Sequence, residues 1–300
     1  MILKTDSIEN LRVALSENCE RIEGFELSEL NNLIEHVPED MTATVQAGMT
    51  VENFQAQLAK RNQWLPVDPP CSGALSIGAL LAGNSSGPRR FGCGTIRDWL
   101  IGTTVVLADG RLIRNGGKVV KNVAGFDLCK LFVGSRGTLG VIVEATFKLL
   151  PSPEREIFLK CECESYDVAG EFIKKIWESD LRPTVLDLFQ FENEPLRLVL
   201  GLSGAAADVK AQQELAAAIG INAETNIDYD AVLRVDHQQM TSVPPADLNE
   251  FLKRENPVSF VARAGTGVVY HRGPRGGHEP SALEQRIKDT FDPKGILPKL

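Results

Sequence analysis

Two stretches of this sequence lack side-chain bulk in places where chemistry would profit from bare backbone. Between Pro69 and Gly94, six glycines (73, 78, 83, 87, 92 and 94) and four serines are interleaved with Leu75, Ile77, Leu80 and Leu81. Those apolar residues exclude a flexible linker and make the stretch read as buried, irregular backbone. The second stretch is Gly134-Ser-Arg-Gly-Thr-Leu-Gly140. Successive N–H groups freed from side chains can form a concave nest for phosphate oxygens, or for the ring nitrogens and oxygens of a flat heterocycle. The alternative is a set of tight turns in a β-rich domain.

Other chemistries fail on inspection. Gly92-Cys-Gly94-Thr-Ile-Arg97 begins like G-x-G-x-x-G but ends in Arg, and Gly265-Thr-Gly267 has no glycine three residues on, so a Rossmann dinucleotide turn is excluded. Lys118 follows Gly116-Gly117, but Leu112 and Val119 stand where a P-loop needs Gly and Ser or Thr. There is no G-x-S-x-G, and His36, His237, His271 and His278 are scattered, the last two reading as solvated loop residues. The six cysteines show no C-x-x-C, so no metal site is expected. Cys161 and Cys163 alternate with Lys160 and Glu162, which puts them on one strand face with Ile157 and Leu159 as small buried residues.

The elements that must position these stretches follow from periodicity. The chain has 300 residues, 43% hydrophobic and 24% charged, with a net charge of −8. That is ordinary globular composition with length for two cores of about 150 residues each, and it speaks against nucleic acid as a partner. No run approaches the roughly 20 apolar residues of a membrane span, and Asp6 and Glu9 occupy the place of a signal peptide's apolar core, so a cytoplasmic location is expected. Asp6 and Glu9 also resemble a capping box ahead of Ile8, Leu11 and Leu15, predicting a first helix. Residues 41–47 alternate as a strand, and Val51, Phe54 and Leu58 recur at helical spacing after Thr50. Asp109-Gly110 between 104–108 and 111–113 signals a β-hairpin. A long strand over 141–149 ends at Pro151 and Pro153, where a domain boundary is placed. Beyond it the order is strand 157–163, helix 167–179, strand 184–191, strand 196–202 and helix 205–219, which predicts a ferredoxin-like layer closed by a strand of unassigned position. Ser281 and Glu284 form a second capping box before a helix stopped by Asp292-Pro293 and Gly295, and the apolar tail that follows is expected to dock.

The ordered segments Pro69-Pro70, Ser76-Ile-Gly78, Asn84-Ser-Ser-Gly87, Gly92-Cys-Gly-Thr-Ile-Arg-Asp98, Asp109-Gly110, Lys121-Asn-Val-Ala-Gly-Phe-Asp127 and Gly134-Ser-Arg-Gly-Thr-Leu-Gly-Val141 resemble the motifs of FAD-linked oxidases with a PCMH-type FAD-binding domain. Within that family, Ser86-Gly-Pro-Arg-Arg90 and Lys121–Asp127 are most similar to the FAD-binding E subunits of bacterial glycolate oxidases, and the 286–297 segment resembles the family's closing helix and turn. The resemblance implies an α+β fold: a PCMH-type (vanillyl-alcohol-oxidase-like) domain over 1–150, a ferredoxin-like cap over 151–275, and a C-terminal helix and tail over 276–300 returning to the first domain. It implies FAD as cofactor, held by Pro70, Ser76, Ile77, Gly78, Asn84, Ser85 and Gly87, with Gly94, Thr95 and Asp98 beside them and Gly140 and Val141 on the adenosine side.

By the same resemblance the activity is oxidation of a small 2-hydroxy acid, with Arg89, Arg90 and Lys121 as candidates to orient the substrate carboxylate through charge and fork geometry. The second half shows no histidine cluster of the kind that the larger catalytic flavoprotein subunit carries. This implies an accessory flavoprotein working with that subunit and an iron–sulfur subunit, reaching a membrane only through partners. Two departures stand out. Residues 1–40 hold a single glycine, Gly24, where the family carries an upstream glycine-rich loop around the pyrophosphate. The family's Gly-Ser-Glu-Gly reads Gly-Ser-Arg136-Gly here. The first departure keeps open a flavin-free structural or regulatory subunit.

Overall fold

The computed structural model describes residues 1–17, 20–117, 128–227, 239–272 and 280–300. The chain divides into two compact units: Met1–Ser86, Thr95–Ser152 and His278–Leu300 form the first, and Gly87–Gly94 with Pro153–Gly277 the second. Both units mix helices and sheet, so the fold is α+β.

In the first unit, β1 (Ile2–Lys4) and β2 (Gly24–Glu26) pair in parallel, joined through the helix Ile8–Glu17, whose Leu11 and Leu15 are fully buried. The expected Asp6–Glu9 capping box does not form. Ser7 Oγ accepts from Asn10 N at 3.2 Å instead, Asp6 takes Asn10 Nδ2 at 2.6 Å, and Glu9 turns to Arg12 at 2.9 Å. The cap sits one residue later because a serine there reaches the same orphan donor. A five-stranded antiparallel sheet follows in the order β3-β4-β8-β6-β7, with β3 Leu33–Val37, β4 Thr42–Gln46, β6 Leu100–Val106, β7 Leu112–Gly116 and β8 Val141–Lys148. The short β5 (Gln63–Trp64) and β9 (Leu150–Pro151) pair separately. Thr50 caps the helix Val51–Ala59 by accepting from Asn53 N at 3.2 Å, as its position predicted. The hairpin turns at Gly110, whose φ of +79° and whose approach to Arg12 O, 2.5 Å from where a Cβ would stand, both require glycine. Phe54, Phe132 and Phe147 anchor the main core. A second cluster joins Leu11, Leu15 and Val143 to Ile296 and Leu297, so the apolar tail docks as expected.

The second unit is built on a seven-stranded sheet in the order β13-β10-β12-β11-β15-β16-β14. Its strands β10 (Arg155–Cys163), β11 (Val185–Gln190), β12 (Leu196–Gly204) and β13 (Ala223–Thr225) alternate with the helices Tyr166–Glu178 and Ala206–Ala218. The neighbour order of those four, with antiparallel pairing, is the ferredoxin-like order, and β13 is the closing strand that the sequence left unplaced. Three further strands, β14 (Gln239–Ser242), β15 (Phe260–Arg263) and β16 (Val268–His271), extend this sheet. Each is only four residues long, too short for alternation to register. The two helices and a third, Leu248–Glu255, cover one face over Leu159, Leu188, Leu198 and Phe260, and Cys161 and Cys163 pack there beside Ile157 and Leu159. The other face buries Phe189, Val199 and Val261, together with an Asp187–Arg263 ion pair whose side chains are 1% and 7% exposed.

Candidate cofactor site

The first glycine-rich stretch is not irregular throughout. It contains a helix, Ile77–Gly83, capped by Ser76 Oγ, which accepts from Ala79 N at 3.2 Å. Ile77, Leu80 and Leu81 are fully buried on one side of it, which is what the interleaved apolar residues achieve. The donors at its start are engaged: Ile77 N–H meets Met49 O at 2.8 Å and Gly78 N–H meets Ala47 O at 2.7 Å. A Cβ on Gly78 would lie 3.1 Å from Ala47 Cβ and 3.2 Å from Ala47 O, so this glycine is bare to admit the protein's own backbone. Pro70 is half-buried in the turn before Cys71, whose φ is +58°. Asn84 closes the helix in the left-handed region at φ +48°, and Ser85 N–H returns to Leu80 O at 3.1 Å.

The second stretch lies against the end of this helix. Gly134 N–H donates to Leu81 O and Arg136 N–H to Ala82 O, both at 2.9 Å. These bonds make a seam between two segments about fifty residues apart. Arg136 is itself left-handed at φ +52°. Gly140 is packed inward: a Cβ there would lie 2.8 Å from Val105 Cγ1 and 3.1 Å from Val106 O. Val141 is 4% exposed within the core. A buried latch holds the loop from behind, since Lys288 Nζ donates to Thr138 O at 2.8 Å and to Asp292 Oδ2 at 2.5 Å, while Asp292 accepts from Ile296 N and Leu297 N at 3.0 and 2.8 Å.

After β2 the chain makes a tight turn, Leu27 to Leu30, closed by Leu30 N–H to Leu27 O at 2.8 Å and tied to Gly48 N–H through Leu30 O at 2.8 Å. At the seam, Ser86 Oγ and Ser135 Oγ are buried with no hydrogen-bond partner, as are Thr103 Oγ1 and Asn115 Nδ2 at paired positions of β6 and β7. Buried polar atoms are nearly always satisfied, so such a group signals a missing partner. On this side the residues present fit a bound dinucleotide.

The remaining expected residues have partners of their own. Asp98 Oδ2 accepts from both Thr95 N and Thr95 Oγ1 at 2.8 Å, capping the helix Ile96–Trp99. The Thr95 backbone hydrogen bond holds the Asp98 carboxyl below its ordinary pKa. Gly87, Arg89, Arg90 and Gly94 belong to the second unit. There Arg89 grips Glu156 with both arms, Nε to Oε1 at 2.9 Å and Nη2 to Oε2 at 2.5 Å, so its fork already holds a carboxylate. Gly87 O accepts from Arg90 N at 3.2 Å, and Gly94 N–H closes the helix Arg90–Cys93 on Arg90 O at 3.0 Å. Arg90 is exposed. Phe91 of that helix enters the second core and meets Trp177 edge-on at 5.5 Å. Lys121, the 121–127 motif, His237 and His278 lie outside the described residues. His271 is not a solvated loop residue: it is 8% exposed on β16, with Nε2 3.0 Å from Thr241 Oγ1. Among the described residues, no group of three or more His, Cys, Asp or Glu is arranged to hold a metal ion, and no helix is long and apolar enough to cross a membrane. The buried Ser86 and Ser135 hydroxyls were not among the expected site residues, because nothing in the sequence distinguishes a buried serine from a turn serine.

Residues 15–116 match the family model described as FAD binding domain. The chain is also similar to several curated proteins. Glycolate oxidase subunit GlcD of Bacillus subtilis (strain 168) is 39% identical over 171 residues, covering 57% of this chain and 36% of the relative. Glycolate oxidase subunit GlcE of Escherichia coli (strain K12) is 34% identical over 184 residues, covering 61% and 51%. D-lactate dehydrogenase of Archaeoglobus fulgidus is 30% identical over 277 residues, covering 82% and 62%. The chain thus spans between a third and two thirds of the length of these relatives. Among solved structures, alkyldihydroxyacetonephosphate synthase is similar in fold, with a TM-score of 0.76 at 19% identity, covering 99% of this chain and 76% of that one.

Proposed function

We propose that this chain is an FAD-dependent oxidoreductase subunit acting on a small 2-hydroxy acid, in a complex of the glycolate oxidase kind. The observation that carries the reading is the seam of two glycine-rich segments with two unmet buried hydroxyls inside a domain that matches an FAD-binding family. The relatives named as glycolate oxidase subunits support the substrate class and the assignment to a complex. FAD, when bound, supplies an acceptor for the hydride of the substrate's α-carbon. The chain's own part is positioning. In this reading the accessible seam residues Asn84, Ser85, Gly134 and Arg136 border the cofactor, while Ile77, Leu80 and Leu81 anchor the helix behind them in the core. Arg89 already holds the Glu156 carboxylate, so of the candidate cations it is engaged within the protein. A larger catalytic flavoprotein subunit and an iron–sulfur subunit complete the electron path in this reading.

A second reading, a flavin-free structural subunit of such a complex, is favoured by one observation. Residues 1–40 hold a single glycine, and the N–H groups of Ile77, Gly78 and Ala79 are all engaged within the protein. The experiment is anaerobic mixing of the FAD-loaded chain with glycolate, D-lactate and D-2-hydroxyglutarate while the visible flavin band is followed. Bleaching by one of them, with the acid converted to its keto acid, supports the enzyme reading. A flavin band unchanged by all three, with and without the co-purified partner subunits, refutes it.

A further inference from the structure

Cys161 and Cys163 stand two residues apart on β10, so their side chains leave the same face of the strand. They lie opposite Leu198 and Leu196 of β12 and reach the apolar cluster under the helices, Cys163 at 6% exposure and Cys161 half-buried. The two thiols meet: the Cys161 S–H donates to Cys163 Sγ, and the Leu198 N–H reaches the same sulfur. The bond from Cys161 holds Cys163 below the ordinary thiol pKa against the opposing effect of burial, while Cys161 is itself raised by that bond and by burial. Among the described residues, β13 pairs with β10 at Phe158, Leu159 and Lys160, which leaves the Cys161–Cys163 end with β12 as its one strand neighbour. That end leads directly into the helix Tyr166–Glu178, capped by Ser165 Oγ, which accepts from Val168 N at 3.3 Å.

We propose that Cys161 and Cys163 are a redox-active dithiol, which hydrogen peroxide converts reversibly into an intrastrand disulfide. Same-face neighbours on a strand have Cα atoms about 6.4–6.8 Å apart, the upper end of the span that a disulfide bridges. The edge left open beyond Lys160 lets the strand end bend and bring the sulfurs into bonding range. In the first step the Cys163 thiolate attacks one peroxide oxygen, the O–O bond breaks, and Cys163 becomes a sulfenic acid while the other oxygen leaves as water. In the second the Cys161 sulfur attacks the sulfenic sulfur, the S–O bond breaks, and a second water carries off the thiol proton. Two thiols thereby give up two electrons and two protons, and one peroxide becomes two waters. A bond stretched across this spacing is strained, hence readily reopened by a dithiol.

The test uses the full chain, reduced and then treated with one equivalent of hydrogen peroxide, the remaining thiols being alkylated before trypsin digestion. Cleavage after Lys160 and Lys174 puts both cysteines, and no other, in one peptide. That peptide is expected to lose two hydrogens, to escape alkylation, to regain both thiols with dithiothreitol, and to react about tenfold faster than the exposed Cys71. Cys161→Ser is expected to stop at a Cys163 sulfenic acid that dimedone traps, and Cys163→Ser to leave Cys161 unlabelled. The oxidised chain is expected to melt lower than the reduced one, because so short a loop gains least from closure while the strand end is distorted. A peptide that stays fully alkylatable while Cys71 is consumed overturns the proposal, as does a bond from either residue to another cysteine. An oxidised chain that dithiothreitol does not reopen, or that melts at or above the reduced one, has a structural disulfide and refutes the redox role. Dimedone labelling of Cys161 in place of Cys163 refutes the assigned order of attack.

Discussion

Gly48→Ala tests how closely the Leu27–Leu30 turn after β2 packs on the backbone at position 48. A Cβ at position 48 would lie 1.7 Å from Leu27 O and 2.8 Å from Leu30 O, so the whole Leu27–Leu30 turn must move by more than an ångström to admit a methyl group. Moving it breaks Gly48 N–H to Leu30 O and strains Leu30 N–H to Leu27 O, both at 2.8 Å. Two backbone hydrogen bonds are worth about 1 kcal/mol each. Leu30, 3% exposed, is partly withdrawn from the cluster around Leu11 and Ile22. That adds about 1–2 kcal/mol. The expected destabilisation is therefore about 3–4 kcal/mol, a melting shift of roughly 6–16 °C at the usual 2–4 °C per kcal/mol. Trp64 and Trp99 lie in the first unit and Trp177 in the second, so tryptophan fluorescence in a Trp177→Phe background reports the first unit alone. A Gly48→Ala chain melting within a degree or two of its parent would show that the turn does not sit on Gly48.

Three further outcomes follow from the same contacts. Lys288→Met leaves Asp292 buried and charged, so it is expected to cost about 3–5 kcal/mol in thermal or urea unfolding, and adding Asp292→Asn should recover part of that loss. No recovery would mean that the two side chains do not act as a pair. Gly265→Ala would set a Cβ 2.2 Å from the Phe91 ring, so it should destabilise the second unit, and Phe91→Leu should relieve it in a double-mutant cycle; additive effects would contradict the contact. The Asp98 carboxyl titrates lower in the folded chain than in the unfolded one, so its cap contributes fully above the unfolded pKa and is lost as pH falls through the folded value. Asp98→Asn should therefore lower the melting temperature at neutral pH and flatten the fall in stability on the acid side, and an acid limb of unchanged slope would contradict that role.

Where a residue's meaning is local, the sequence carried it. The Ser281–Glu284 box, the Thr50 cap and the Asp109-Gly110 turn depend on neighbours three or four residues away, and each forms as read. The strand and helix order of 155–225 was equally legible, because alternation in β10 and the short apolar runs of β11 and β12 set them apart from the helices between them. What escaped depends on distant partners. The glycines of 73–94 looked like a ligand's cradle, yet Gly78 is shaped by Ala47 and Gly92 by Thr184, contacts that no local pattern announces. The alternation of glycine with Ala and Leu likewise concealed the Ile77–Gly83 helix. Arg89 read as free for a substrate because Glu156 is 67 residues away. Burial is invisible in the same way, so Ser86 and Ser135 passed as turn serines.

The most direct measurement is calorimetric titration of the flavin-stripped full-length chain with FAD, paired with mass spectrometry of whatever small molecule the protein carries as purified. One FAD bound per chain, with a yellow spectrum that survives gel filtration, is the predicted result. A colourless protein that takes up no FAD even at high excess would contradict the account and leave a subunit that keeps the fold without its cofactor.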